Sequence, residues 1–248
     1  CDASPATFVR CGFLKNNVGS YGYGGACVAL VAASAATFTD CTFRENGLTE
    51  TAVGGGLYVS GSTIAVTDCE FIGNSAGAGG GIHFTESSSG TVTGCTFTDN
   101  NSIWGVAAGI SFFPGCEPTV SGCTFVANHD YHMHFRDASP IIEDCILAFA
   151  ISGGAVFCDM GGDPTISHCF IYENAGGDSL CGESYHDNVW ADPLFCGVEG
   201  GDYTLCADSP CLPGVTWPSL IGAHGQGCDA CGSAVETVTW GALKAVYR

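Results

Sequence analysis

The sequence predicts an all-β fold: a single-stranded right-handed parallel β-helix of about 7–9 coils with a Cys-rich C-terminal cap, on the evidence of three features. The pattern Cys-x-(Phe or aliphatic)-x-x-Asn recurs as Cys11-Phe13-Asn16, Cys41-Phe43-Asn46, Cys69-Phe71-Asn74, Cys95-Phe97-Asn100 and Cys123-Phe125-Asn128. It continues as Cys145-Leu147 with Ala150 at the Asn position, then Cys169-Ile171-Asn174, and successive cysteines lie 30, 28, 26, 28, 22 and 24 residues apart. A small-residue block follows most Asn positions after a variable gap: Gly24-Gly25-Ala26, Gly54-Gly55-Gly56, Gly79-Gly80-Gly81, Ala107-Ala108-Gly109 and Gly153-Gly154-Ala155. A constant pattern with gaps of variable length means stacked coils that carry insertions. No Leu-x-x-Leu-x-Leu frame and no sustained 3.6-residue apolar period exist, which excludes leucine-rich and helical solenoids.

The phase of the pattern shapes each coil. Three residues before a ladder Cys stands Phe38, Val66, Val92, Val120, Ile142 or Ile166. Both positions are apolar, yet a strand buries every second residue, so a corner must separate them. The residue just before the Cys is Asp40, Asp68, Gly94, Gly122, Asp144 or His168, types that tolerate left-handed backbone. The same step from Phe43 to Asn46 marks a second corner. Each coil is thus three short strands joined by bends, stacked in parallel about 4.8 Å apart. The seven ladder cysteines are expected as an inward column of free thiols, and the Asn column at a bend. Residues four and two before the Cys (Thr37 and Thr39, Thr91 and Thr93, Thr119 and Ser121) point outward, where strand propensity accounts for threonine. Ile141 and Glu143 interrupt that face, which counts against an ice-binding array.

The 248 residues divide into coils over 1–178, a terminal coil with a disulfide-rich cap over 179–232, and an apolar tail over 233–248. Seventeen cysteines indicate an oxidising compartment, so an extracellular or cell-surface place is expected. The formal charge of −19 argues against nucleic acid, whose phosphates need a basic patch. No run of 18 apolar residues exists, so no membrane insertion is expected.

Two resemblances follow from these residues. Gly25-Ala26-Cys27, Gly56-Leu57, Gly81-Ile82 and Gly154-Ala155-Val156, alternating with Phe13 to Asn16 and its equivalents, resemble the short repeats of chlamydial polymorphic outer-membrane proteins. Ala191-Asp192-Pro193-Leu194-Phe195, Gly201-Asp202-Tyr203-Thr204-Leu205 and Asp208-Ser209-Pro210-Cys211 are similar to the closing coil of secreted bacterial right-handed β-helix repeat proteins. The resemblance implies the fold and a surface or extracellular place; no segment matches the barrel of the chlamydial proteins.

Chemistry is sparse. Polysaccharide cleavage needs carboxylates converging on an outward face. The outward column after the Gly blocks reads Val28, Tyr58, His83, Ser111, His134, Phe157 and holds no acid. The column after the ladder Cys reads Gly12, Thr42, Glu70, Thr96, Thr124, Ile146, Phe170 and holds one. No catalytic set is assigned, and the only candidates are Asp130, His132 and His134, from the stretch that breaks the repeat. His132 and His134 lie two apart, so on a regular strand they share a face suited to a metal or to acid–base work. Bulky polar residues covering a shortened loop are the preferred reading of the stretch, since spacing fixes no third ligand. Cys228-x-x-Cys231 has the form of half a zinc site without a following half, and a local disulfide is expected there. No cofactor is expected.

Two functions stay open. One is a structural or adhesive extracellular protein that associates with itself, a head-to-tail filament in which Trp240 and Leu243 of the apolar tail anchor the next copy. The other is a β-helix that binds or degrades carbohydrate, using the stripe Tyr58, His83, His134 and Phe157.

Overall fold

The computed structural model describes residues 5–18, 27–48, 52–182, 184–229 and 231. Cys1, the Gly24-Gly25-Ala26 block and the tail Val235 to Arg248, with the head-to-tail contact expected of it, lie outside the described residues. Four parallel sheets run along one solenoid. Sheet I has eight strands, from Pro5–Val9 through Ala35–Thr39, Thr63–Thr67, Ser89–Thr93, Thr119–Ser121, Ile141–Glu143 and Thr165–Ser167 to Ser184–His186. Sheet II has seven: Gly12–Leu14, Thr42–Arg44, Glu70–Ile72, Thr96–Thr98, Thr124–Val126, Ile146–Ala148 and Phe170–Tyr172. Sheet III is a narrow four-stranded ladder from Asn17–Val18 to Asn101–Ser102, and sheet IV has six strands from Val28–Leu30 to Val156–Asp159. Register follows the repeat, with Phe43, Phe71, Phe97 and Phe125 paired in turn. The fourth strand group is the one that the three-strand reading lacked; two-residue strands carry too little pattern to be read from sequence.

Both predicted corners are left-handed. Arg10, Asp40, Asp68, Gly94, Gly122, Asp144 and His168 have φ between +52° and +63°. Lys15, Glu45, Gly73, Asp99, Ala127, Phe149 and Glu173, each one residue before the Asn position, lie between +46° and +62°. A non-glycine residue there costs about 1–2 kcal/mol, so something must hold the bend. The next coil does. At most of these bends a side chain of the following coil accepts the backbone N–H of the ladder residue. Cys41 N–H donates to Cys69 Sγ at 3.3 Å, Cys69 N–H to Cys95 Sγ at 3.4 Å, and Cys95 N–H to Cys123 Sγ at 3.4 Å. Asn46 N–H and Nδ2 both donate to Asn74 Oδ1, at 3.1 and 2.8 Å, while the same Nδ2 reaches Phe13 O. A third ladder of the same kind escaped the sequence reading: Ser34 N–H donates to Ser62 Oγ and Ser62 N–H to Ser88 Oγ. Serines without a flanking aromatic do not stand out from loop composition.

The core is a set of stacks. Phe13, Phe43, Phe71, Phe97 and Phe125 lie parallel with centroids 4.5 to 4.7 Å apart. Phe84, Phe112 and Phe135 form a second pile from sheet IV. The glycine blocks make room for the first pile: a Cβ on Gly81 would lie 2.8 Å from the Phe97 ring and 2.7 Å from Gly109 O. All seven ladder cysteines are free. The later ones are mostly bridged, as Cys158–Cys181, Cys196–Cys228 and Cys206–Cys231, while Cys211 is free. The expected local Cys228–Cys231 bridge is therefore corrected: each of the two cysteines joins a strand of the terminal sheet instead.

The terminal segment differs in position from a plain cap. After the bridge between Phe170 and Val189, the chain turns back along the outer face of sheet II. Its sheet of Phe195–Gly197, Asp202–Cys206 and Gln226–Cys228 belongs to a lobe that buries Phe195, Leu205, Cys211 and Ile221 against Val126, Ile146, Ala148 and Phe170. Trp217 packs edge-on against Phe170 and His168. A backbone bond from Gly222 N–H to Asp144 O and a bond from Ala223 N–H to the Thr124 hydroxyl fix the lobe over the fifth and sixth coils. The outward column of sheet II explains the docking, since it changes along the axis from Thr42 and Glu70 to Ile146 and Phe170. Apolar outward residues at one end of a sheet need a cover.

Candidate binding cleft

Where the lobe stops short, a cleft of about 470 Å³ opens between it and the uncovered part of sheet II. Outward side chains of the second to fourth strands of that sheet form one side: Arg44, Glu70, Ile72, Thr96 and Thr98, with Asp99 at the bend. Gly200, Gly201, Asp202, Tyr203, Thr204 and His224 of the lobe form the other. Strand alternation aims the first set outward, because Phe43, Phe71 and Phe97 between them face the core.

The two sides meet at a hydrogen bond of 2.7 Å shared by Thr96 Oγ1 and His224 Nε2. Burial lowers the His224 imidazole below its usual range, against the pull of Glu70 and Asp202, so the ring is neutral near pH 7. Asp202 is held below the usual carboxylate range because the Thr204 hydroxyl and N–H both donate to it. Glu70 Oε2 accepts from Thr42 Oγ1 at 3.4 Å. Asp99 is anchored from behind by His129, 2.7 Å away. The lining therefore combines three carboxylates, one guanidinium, three threonine hydroxyls, a neutral imidazole and a tyrosine ring, with negative charge in excess. Such a set can accept and donate hydrogen bonds to several hydroxyls of one ligand and can shuttle a proton.

The sequence candidates fall elsewhere. His132 and His134 are both buried but do not act together. Opposite His132, residues 108 and 109 of the preceding strand bulge, and this breaks the regular alternation assumed for a shared face. His132 turns into the Asn ladder at the coil where Ala150 replaces Asn. Its Nδ1 accepts from Asn128 Nδ2 at 3.0 Å and its Nε2 donates to Asn174 Oδ1 at 2.9 Å, bridging the gap. His134 lies in another network, with Nε2 3.0 Å from Asp159 Oδ1. Asp130 sits by Ser152, and burial pushes its carboxyl up to about 6. It neighbours the cleft only through His129 and Asp99.

The aromatic and histidine stripe is also corrected. Its column begins at Ala29, not Val28, since Ala29 pairs with Tyr58. Its middle is closed, since His83 and His134 are 2% and 1% exposed beneath Phe113, whose ring lies 4.6 Å from one and 5.8 Å from the other, while Tyr58 and Phe157 are half-buried. Glu70 was legible as the lone acid of its column, whereas Asp99 was not singled out. Asp202 and His224 were not, because only the folded-back lobe brings them to Glu70. The signal that could have found them was the apolar end of the outward column, which calls for a covering segment.

The chain matches the family model described as right handed beta helix region over residues 26–189. It belongs to that family of parallel β-helix proteins. No curated protein matches, and no solved structure matches. Among the described residues, no helix is long and apolar enough to cross a membrane.

Proposed function

We propose that the chain is an extracellular adhesive β-helix protein that grips a neutral polysaccharide in the cleft between sheet II and the terminal lobe. The observation that carries this reading is the lining of that cleft: a tyrosine face with carboxylates, hydroxyls and a neutral imidazole, the equipment for holding sugar hydroxyls. The excess of carboxylates over Arg44 favours neutral chains over uronates, which would meet like charge. Three disulfides support an oxidising compartment and hence an outside location.

Affinity electrophoresis in gels containing a neutral glucan, a mannan or a polyuronate tests the reading. Retardation by a neutral polymer is expected, with Tyr203→Ala and Glu70→Gln each weakening it about tenfold, the loss of one good contact. Equal migration in all gels sinks it. Release of new reducing ends from any of the polymers favours the degrading alternative.

A further inference from the structure

We propose that Cys196, Cys206, Cys228 and Cys231 constitute a metal site: with both of their disulfides open, the four thiolates hold one divalent cation of the zinc class. The four residues come from three strands and a following turn, yet their sulfurs converge. Cys206 Sγ lies 3.6 Å from Cys228 Sγ, to which it is not bonded. The sulfurs of Cys196, Cys206 and Cys228 all lie within 4.8 Å of one another, and Cys206, Cys231 and the Asp208 carboxylate form a second such group. Four sulfurs at about 2.3 Å from a zinc ion stand about 3.8 Å apart, close to the 3.6 Å between Cys206 and Cys228, and the two bonded pairs part to that spacing once reduced. Cys228-x-x-Cys231 supplies one half of the ligand set. The other half precedes it in the chain, as Cys196 and Cys206 on two antiparallel strands.

The same three strands and following turn carry the sulfurs in both states, with the bridged Cα atoms already 6.1 and 5.4 Å apart. Opening the two disulfides takes four electrons and four protons. Two molecules of a dithiol reductant supply them, each ending as its own cyclic disulfide. One divalent cation then displaces the four thiol protons. Both states fasten the segment that carries Asp202, Tyr203 and His224, so the lobe has a cross-link whether the surroundings are oxidising or reducing.

Cobalt binding to the full-length chain, reduced and freed of metal, tests this. Cobalt titration should give the visible absorption of a tetrahedral tetrathiolate, saturating at one ion per chain and erased by one equivalent of zinc. The Cys228→Ser/Cys231→Ser variant should lack it. Alkylation of the reduced wild-type chain with and without zinc, mapped by mass spectrometry, reads the site without any substitution. Protection of Cys196, Cys206, Cys228 and Cys231 is expected. Absence of the tetrathiolate spectrum, or zinc protection confined to the ladder cysteines, overturns the proposal. Neither readout depends on whether the cleft binds a glycan.

Discussion

His132 shows how one residue repairs a repeat. Where Ala150 breaks the Asn ladder, a neutral imidazole from the preceding coil reaches across and satisfies Asn128 and Asn174 together. His132→Ala leaves both amides short of a partner inside the core and should cost about 2–4 kcal/mol, read from urea denaturation. Adding Ala150→Asn to that variant should recover part of the loss. Burial also lowers the His132 imidazole from 6.5 to about 4. Between those pH values the unfolded chain holds a proton that the folded chain does not, so stability rises with pH. The contribution is whole above 6.5, shrinks as pH falls through the window, and is lost by about 3 kcal/mol below it. The gap in urea midpoint between wild type and His132→Ala should therefore be wide at about pH 7.5 and narrow at about pH 4.5. A pH-independent gap would mean that the ring contributes by packing alone.

Among elements, the strands and bends repeat their chemistry and the lobe does not, which is why the former could be read and the latter could not. Every coil restates the left-handed residue and the ladder Cys, and five of the seven restate the inward Phe, so the copies point to the same register. Sheet III and the Ser ladder rest on two or three small residues per coil and leave no comparable trace. The cleft joins Glu70 to Asp202 and His224, more than a hundred residues away, and only tertiary packing brings them together. Two variants separate these levels. Gly81→Ala places a methyl against the Phe97 ring and the Gly109 carbonyl, and should destabilise the coils by about 1–3 kcal/mol through overpacking. Ile146→Asp instead buries a charge beneath the lobe. Limited proteolysis should then cut the lobe from an intact solenoid, and a wild-type cleavage pattern would show that the lobe docks by other contacts.

In the whole molecule, each coil touches only its neighbours, and the two long ladders stop where other residues take over. Asn188 Oδ1 accepts from Cys169 N–H and ends the Cys ladder, and Asp178 Oδ1 accepts from Asn174 N–H and ends the Asn ladder. The formal charge of −19 gives the chain self-repulsion that added salt screens. The thermal midpoint should accordingly rise between low and moderate ionic strength, and a flat response would show that the charges are too dispersed to matter. The returning lobe also sets how the molecule bears load. A pull on Cys231 spreads through the Cys206–Cys231 and Cys196–Cys228 bridges to the whole lobe, which is held to the waist of the solenoid by His224 on Thr96, Ala223 on Thr124 and Gly222 on Asp144. Those contacts, loaded one after another, would peel before any coil is strained, so the lobe acts as a mechanical fuse: tension strips one wall from the cleft while the stack behind it stays wound.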